Sequence, residues 1–154
     1  MYSGDMASAV SEDALADFAE TILRIGRELD PHGPRALDII PLTGTEALVM
    51  RWVHRNPGTS PSAVAEATAL QRSNCSVALR SLMSKGMVER RTEPSDGRAV
   101  HLHPTPLAER SIARLHAYWG ERLRAALGDD EENVLVAAMV LARIDDNLRG
   151  AAPE

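Results

Sequence analysis

One stretch of the sequence decides the fold: RSNCSVALR, residues 72–80, which lies within residues 69–104. Apolar residues recur there at steps of four and three, at Cys75, Leu79 and Leu82, so the spacing predicts a helix with one buried face. The other face presents Arg72, Asn74, Ser76, Val77 and Arg80. A helix with such a solvent face, beside a basic hairpin, is typical of one that enters a groove of DNA.

The segment that follows this helix predicts a hairpin. Gly86 comes after Lys85 and predicts a left-handed end to the helix. Residues 87–92 and 99–103 are short, partly alternating segments on either side of PSDGR, residues 94–98. The hairpin carries three arginines, Arg90, Arg91 and Arg98.

A short helix is predicted immediately before residues 72–80. Ser60 is its cap and Pro61 occupies its first position, where a missing N–H costs nothing. Val64 and Ala65 form its inner face, and a turn follows at residues 68–70. Two short helices, the second with a solvent face suited to bases, form the helix-turn-helix signature.

The remaining helices flank this motif. Ser11 caps a predicted amphipathic helix that ends before Pro31, and residues 35–40 are expected to form a short helical turn. Thr43 and Glu46 fit the capping-box pattern. The helix they open has a predicted buried edge made of Leu48, Val49, Trp52 and Val53.

Two more helices are predicted after the hairpin. Thr105 and Pro106 open a long one, which Gly128 ends. Asp129 is then expected to cap a last helix that is apolar around a wide arc, from Val134 to Leu148. The terminal helices carry more apolar surface than one small unit covers, so we expect them to pack against a second copy of the chain.

These patterns together predict a mainly α fold with a small β-hairpin wing. Residues 41–104 form the winged helix-turn-helix, and residues 11–40 and 105–149 form helical dimerisation regions, all within a single domain of residues 1–154. A two-fold dimer places two recognition helices about 34 Å apart along one face of a duplex. The predicted partners are therefore double-stranded DNA and a second copy of the chain.

Charge is unevenly distributed along the chain. The net charge is −5, yet residues 70–104 carry six basic and three acidic residues, whereas residues 1–40 carry three basic and eight acidic residues. Because local charge governs steering toward phosphates, the acidic total does not exclude a DNA-binding function.

Several function classes lack support in the sequence. No apolar run approaches the roughly 20 residues that cross a bilayer, and the N-terminus lacks the pattern of a signal peptide. We therefore expect a cytoplasmic protein with no membrane partner. Neither a Ser-His-Asp arrangement nor a glycine-rich phosphate loop is present in a recognisable context. The expectation is a protein that is not an enzyme and has no cofactor.

The order of these motifs resembles the MarR family of bacterial winged helix-turn-helix regulators, over nearly the whole chain from residue 11 to residue 148. The motifs that carry the resemblance are Leu42-Thr43 with Glu46, residues 60–66 (SPSAVAE), Leu82, Lys85-Gly86, residues 88–90 (VER), Asp96-Gly97-Arg98 and Thr105-Pro106. Taken singly they are common, whereas together and in this order they are specific.

The resemblance implies a homodimer. Our hypothesis is a ligand-responsive repressor that binds a roughly palindromic operator, with a small-molecule effector as a further partner. The resemblance also implies that Arg98 enters the minor groove with the help of Asp96, while the recognition helix reads the major groove. Arginine bonds bidentately to guanine and asparagine to adenine, so Arg72, Asn74 and Arg80 are candidate base-reading residues. Phosphate contacts are expected from Ser60 and Ser62 at a helix N-terminus. The other candidate DNA-contacting residues are Ser73, Ser76, Val77, Arg90 and Arg91.

The sequence departs from the family pattern at two places. Gln71 stands where the family has serine or threonine as a helix cap, so the recognition helix is expected to begin later, with Ser73 as its cap. Pro104 replaces a leucine and removes a backbone donor, which is expected to shorten the second wing strand.

Three residue types admit a second interpretation. The single cysteine, Cys75, is interpreted as a small buried hydrophobe, with a redox sensor as the alternative. His101 and His103 share a strand face but lack a metal-binding pattern, so no metal site is predicted. Trp52 and Trp119 are interpreted as core residues, with a small-molecule pocket as the alternative. A helical protein-interaction module that does not read DNA is the alternative to a regulator.

Overall fold

The computed structural model describes residues 10–31, 38–92 and 99–150, and it is mainly helical with one antiparallel hairpin. The predicted fold class is thereby confirmed. The chain divides into two compact units, Met1–Ala36 and Leu37–Glu154. The elements in chain order are α1 (Glu12–Glu28), α2 (Gly44–Arg55), α3 (Pro61–Ala67), α4 (Arg72–Ser84), β1 (Val88–Thr92), β2 (Val100–Pro104), α5 (Pro106–Leu127), a 3-10 helix (Gly128–Asn133) and α6 (Val134–Gly150).

The first unit contains α1. The Ser11 hydroxyl accepts a hydrogen bond from the backbone N–H of Ala14 at 3.2 Å, as the predicted cap requires. The helix ends at Glu28, before Pro31, which also agrees with the sequence. Residues at steps of three and four, among them Leu15 and Phe18, leave its apolar stripe exposed. Considered within the first unit, the helix is amphipathic and has no buried residue.

Serine and threonine caps begin three helices of the second unit. Thr43 and Glu46 form both hydrogen bonds of a capping box at the start of α2. Ser60 caps α3 and Thr105 caps α5, each by accepting a hydrogen bond from the backbone three residues later, and a proline follows each cap. These predicted helix starts are correct because a hydroxyl cap satisfies a backbone N–H that the helix leaves free.

The start of α4 differs from the prediction. The helix begins at Arg72, and Ser73 lies inside its first turn instead of capping it. The reason is that the backbone N–H of Cys75 already bonds to the carbonyl of Gln71 at 3.0 Å, so helical bonding begins at Gln71 without help from its side chain. At the other end, Gly86 has φ +70, and the N–H groups of Gly86 and Met87 bond back to Met83 and Leu82. This is a Schellman motif, as the glycine predicted.

The hairpin pairs β1 with β2 from Val88 opposite Pro104 to Thr92 opposite Val100. Pro104 does not shorten β2, because the hydrogen bond that closes this end of the pairing comes from the next residue. The N–H of Thr105 donates to the carbonyl of Met87 at 3.1 Å. The predicted turn at residues 94–98 lies outside the described residues.

The core lies where α2, α3 and α4 meet the hairpin and the start of α5. It consists of Val49, Met50, Val53, Val64, Ala65, Cys75, Ala78, Leu79, Leu82, Met87, Val88, Leu102 and Ala108. The predicted edge of α2 is wrong in part, since Leu48 and Trp52 are half-buried and Met50 is buried. The buried residues of α2 are Glu46, Val49, Met50 and Val53, which lie on one face of the helix at steps of three and four, and α4 packs against α2.

The junction of α5 and α6 also differs from the prediction. Gly128 ends α5 with φ +54, as expected, but Asp129 lies within the 3-10 helix and does not cap α6, which begins at Val134. Residues 38–40 are not helical, and the rest of the predicted turn at residues 35–40 lies outside the described residues. Within the described part of the chain, no helix is both long and apolar enough to span a bilayer.

Candidate nucleic-acid interface

The exposed face of α4 carries the side chains that the sequence proposed for base reading. Cys75, Ala78, Leu79 and Leu82 are buried on one side of the helix, whereas Arg72, Ser73, Asn74, Ser76, Val77 and Arg80 are all exposed. Val77 is 57% exposed although it is apolar, so it is available to contact a thymine methyl group. The structure therefore brings all six candidate residues of this helix to its solvent side.

Two arginines mark the ends of this face. Arg72 lies at the first turn of α4 and lines a shallow groove against α3, together with Pro61, Ser62, Ala65, Cys75 and Ser76. Arg80 lies two turns further on, and its Nε donates to the carbonyl of Ser76 at 3.4 Å. This contact lays the Arg80 side chain along the helix and leaves its remaining guanidinium donors free of other hydrogen bonds in the described residues.

The two serines of α3 differ in what they contribute. The Ser60 hydroxyl accepts from the N–H of Ala63 at 3.2 Å, so its oxygen is used as a cap while its hydrogen can still be donated. Ser62 is exposed and lies in the groove beside Arg72. The structure thus places a hydroxyl and a guanidinium together, a combination suited to a phosphate.

Arg90 and Arg91 lie on β1 and are exposed, but alternation along the strand directs them to opposite faces of the hairpin. Arg91 also pairs with Glu89, with 2.8 Å between Nε and Oε1. Arg90 is therefore the better candidate for a phosphate, since its charge is not offset by a neighbouring carboxylate among the described residues. Asp96 and Arg98 lie outside the described residues, and their assignment to the minor groove stays a prediction.

A buried ion pair holds the C-terminal end of α4, and the sequence did not reveal it. The Glu46 carboxylate accepts hydrogen bonds from Lys85 Nζ at 2.7 Å and from Ser81 Oγ at 2.5 Å, besides its capping bond to Thr43 N at 2.7 Å. Burial raises the pKa of Glu46, but the bonds from Lys85, Ser81 and Thr43 and the charge of Lys85 outweigh it and lower that pKa to about 2. The capping box identified Glu46, whereas its partners lie 35 and 39 residues away.

The cysteine is a buried side chain of the core. Cys75 is 2% exposed, and burial raises the pKa of its thiol. Its Sγ lies 3.9 Å from the carbonyl oxygen of Pro61. A reactive cysteine needs a lowered pKa and access to solvent, so the geometry favours the packing interpretation over the redox alternative.

His101, Trp52 and Trp119 each contact a structural partner. His101 Nδ1 lies 2.9 Å from the carbonyl of Gly58, and no group of three or more potential ligands converges on a metal position within the described ranges. Trp52 packs against the core and its Nε1 donates to Thr59 Oγ1 at 3.4 Å. Trp119 is half-buried beside the ring of His116, with 5.9 Å between centroids, so the core interpretation is correct for Trp52 only.

Comparison with known proteins gives two kinds of similarity. Residues 40–99 match the family model described as "MarR family". A putative transcriptional regulatory protein for the hcr operon of Thauera aromatica is 31% identical over 94 residues, which cover 59% of this chain. The matched region spans 57% of the length of that relative.

Solved structures share the fold. The Streptococcus pneumoniae protein FabT in complex with DNA superposes with a TM-score of 0.65 at 23% identity, over 91% of this chain and 99% of its own. The Streptomyces coelicolor regulator PcaV in complex with its natural ligand gives a TM-score of 0.56 at 20% identity, over 95% and 98% of the two chains. The family model therefore matches the winged helix-turn-helix of this chain, and the solved structures share its fold over most of its length.

Proposed function

We propose that the protein is a sequence-specific DNA-binding transcription regulator, a ligand-responsive repressor that acts as a homodimer on a palindromic operator. The observation that carries this proposal is the division of α4 into a buried apolar face and an exposed face with two arginines, an asparagine and two serines. Such a face supplies the donors and acceptors that distinguish base pairs in the major groove, and the role requires no catalytic residue.

The chemistry of the individual side chains supports base reading by α4. A guanidinium matches the two acceptors of guanine, and a carboxamide matches the donor and acceptor of adenine. We assign Arg72, Asn74 and Arg80 to these contacts. The Ser60–Ser62 segment, Arg90 and Arg91 are assigned to the backbone, with Arg98 in the minor groove as the family resemblance implies. Phosphate contacts of this kind position the protein but do not select sequence.

Dimerisation is supported by α6. The helix exposes Leu135, Val136, Met139, Val140, Leu141 and Leu148, and a stripe of this size is stable in water only if another surface covers it. A second copy of the same helix provides that surface with two-fold symmetry, and two-fold symmetry explains why the operator would be palindromic.

The effector is supported by a relative. The structure of PcaV, which has the same fold, contains its natural ligand, and this supports a bound effector in our proposal. In our proposal a ligand acts by binding unequally to two dimer states that differ in the spacing of their recognition helices. The chemical identity of the ligand is left open.

Anisotropy with fluorescent duplexes tests the DNA-binding proposal. The probe is a palindromic duplex recovered from a random-sequence library by the wild-type protein, with a scrambled duplex of equal composition as the reference. Arg80→Ala or Asn74→Ala should weaken binding to the selected duplex by about 1–3 kcal/mol and alter the bases preferred on a second round of selection. Arg110→Ala, an exposed arginine of α5, is the control for loss of one positive charge.

Two outcomes contradict the proposal. An equal loss on both duplexes would show that these residues contact phosphates and not bases. Failure of the wild-type protein to recover any duplex, or binding that does not weaken as salt rises, would favour the helical protein-interaction module, because binding to phosphates releases counterions.

A further inference from the structure

The Glu46 carboxylate is the most buried acidic group among the described residues, with 6% of the residue exposed. Burial of a charge is costly unless a partner of opposite charge and further hydrogen bonds compensate it. Lys85 provides the charge, and Ser81 and the backbone N–H of Thr43 provide hydrogen bonds. A capping box needs only the hydrogen bond between the Glu46 carboxylate and the N–H of Thr43. The contacts of this carboxylate with Lys85 and Ser81 are additional to it.

This ion pair joins separate elements. Glu46 lies in the first turn of α2, Ser81 in the last turn of α4, and Lys85 directly after α4. Lys85 Nζ also donates to the carbonyl of Pro41 at 2.9 Å, so the same ammonium group holds the loop that precedes α2. We call Glu46, Ser81 and Lys85 the clamp.

The loop held by the clamp is tied to α5 as well. The backbone N–H of Ile40 donates to Ser111 Oγ at 3.0 Å, and Ser111 is buried. Arg114 Nη1 donates to the carbonyl of Asp38 at 2.6 Å. The C-terminal end of α4 is therefore hydrogen-bonded to α2 directly. It is linked to α5 indirectly, through residues 38–43.

The N-terminal end of α4 has much weaker polar attachment. Gln71 makes no side-chain capping bond, and the contact between Cys75 Sγ and the Pro61 carbonyl is long at 3.9 Å. In the part of the chain that the structure describes, the short side-chain hydrogen bonds from α4 and its C-cap to other elements are those of Ser81 and Lys85. Packing holds the helix against the core along its length, whereas its short polar contacts with other elements are concentrated at its C-terminal end.

A small tilt about the clamp has a large effect on base reading. Asn74 precedes Ser81 by seven residues, or about 10 Å along the helix axis. A tilt of about 10° therefore moves Asn74 by about 2 Å, which exceeds the range of roughly 0.5 Å over which a hydrogen bond keeps its length.

We propose that Glu46 is a positioning residue for sequence recognition, which sets through Ser81 and Lys85 the angle at which α4 meets DNA. This inference rests on the proposed function. It predicts that loss of the carboxylate reduces discrimination between sequences more than it reduces binding to DNA in general, because phosphate contacts tolerate a tilt that base contacts do not.

Glu46→Gln is the main test variant. Its side-chain oxygen can still accept the capping hydrogen bond from the N–H of Thr43. The neutral amide, however, removes the negative charge to which Lys85 and Ser81 donate hydrogen bonds. The control is Glu131→Gln, which makes the same chemical change and the same change of net charge in an exposed pair with Arg124. All affinities are measured at a temperature at which circular dichroism shows each variant to be folded.

The readout is the ratio of affinities for the selected and the scrambled duplex. We expect this ratio to fall about tenfold in Glu46→Gln, the equivalent of one good base contact, and to stay at the wild-type value in Glu131→Gln. An unchanged ratio in Glu46→Gln would overturn the inference. So would equal losses on both duplexes, since that pattern indicates a change in phosphate binding.

A milder variant guards against unfolding. Ser81→Ala removes one hydrogen bond of the clamp and leaves the ion pair, with Ser84→Ala on the exposed side of the same helix as its control. The ratio should fall about threefold to fivefold for Ser81→Ala, as expected for the loss of roughly one hydrogen bond, and not for Ser84→Ala. Equal ratios in the two variants would also contradict the inference.

Hydrogen exchange provides a test that needs no DNA. Amides in the last turn of α4 should exchange faster in Glu46→Gln than in wild type, while the amides in the middle of α5 keep their rates. If the wild-type protein bound no duplex, the proposed function would be wrong. The exchange rates would still show whether the clamp holds the C-terminal end of α4. Unchanged exchange in the last turn of α4 would refute the clamp whatever the DNA result.

Discussion

Two helices of the second unit show opposite relations between apolar sequence and burial. In α4 the apolar residues Cys75, Leu79 and Leu82 lie in the core, and Leu82 has no exposed surface. In α6 Leu135 is 77% exposed and Met139 is 67% exposed. The winged helix-turn-helix therefore completes its core with residues of its own chain, whereas α6 leaves large apolar side chains exposed. Stability and assembly should respond separately to changes in the two helices.

Leu82→Ala is the change with the largest expected effect. Removal of a fully buried leucine leaves a cavity between α2, α4 and the hairpin, and should lower the free energy of unfolding by about 2–5 kcal/mol. Urea denaturation followed by circular dichroism at fixed protein concentration measures the loss.

Leu135→Ala on α6 is the matched control, since it makes the same truncation at an exposed position. We expect it to change the unfolding free energy of the monomer, measured at nanomolar concentration, by less than about 0.5 kcal/mol. Equal losses of unfolding free energy for Leu82→Ala and Leu135→Ala would show that α6 is part of the same core as α4. The distinction between a buried α4 and an exposed α6 would then be wrong.

The next largest expected effect is on the free energy of unfolding, through Glu46 of the clamp, and it depends on pH. The pKa of Glu46 is lowered from 4.5 to about 2 in the folded protein. Its carboxylate therefore stabilises the fold above pH 4.5, and this stabilisation is lost as the pH falls toward 2. The contribution corresponds to about 3 kcal/mol at neutral pH.

Glu46→Gln should remove this part of the acid sensitivity. The difference in unfolding free energy between wild type and variant should be largest at neutral pH and should shrink between pH 4.5 and pH 2. Urea titrations at four pH values measure it, with Glu131→Gln as the exposed control. A difference that is constant across this range would show that the carboxylate is not the group that titrates.

The beginnings and ends of the helices were largely predictable from sequence. A serine or threonine cap at Ser11, Thr43, Ser60 and Thr105, and a glycine with positive φ at Gly86 and Gly128, act on backbone groups within four residues. Such local interactions leave a local signature. The polar face of α4 was predictable for the same reason, because helical spacing alone assigns a side to each residue.

Contacts between distant segments were not predictable. Nothing near Glu46 indicates that Lys85 will reach it. Helical spacing allows either Leu48 or Met50 to share a face with Val49 and Val53, so the burial of Met50 depends on what packs against α2. The start of α6 was missed for a related reason. Asp129 has the composition of a cap, but the left-handed Gly128 leads into a 3-10 helix first.

A charge on α6 tests the assembly side of the comparison. Met139→Glu places a carboxylate in the middle of the exposed apolar stripe. If the stripe is the dimer interface, burial of an unpaired charge should raise the dissociation constant of the dimer about tenfold or more. Sedimentation equilibrium at micromolar concentration measures this, and the unfolding free energy of the monomer should not change.

Thr45→Glu is the control for that experiment, because it adds the same charge at an exposed position of α2. It should leave the dissociation constant at the wild-type value. A wild-type protein that sediments as a monomer would refute the proposed homodimer, and α6 would then need a different partner.

The smallest expected effect concerns the start of α4, the one helix of residues 44–127 that begins without a side-chain cap. Gln71 has φ −57 and ψ 140, an extended conformation that serine also adopts. In Gln71→Ser the hydroxyl can accept from the N–H of Asn74, as Ser60 does from Ala63 in α3. We expect the free energy of unfolding to rise by about 1 kcal/mol.

The reverse change, Ser60→Gln, should lower the free energy of unfolding by a similar amount. Thermal unfolding monitored by circular dichroism measures both. Because α4 completes its contacts within one chain, neither variant should change the association of the chain with itself, and a coupled change would show that the two regions are not independent.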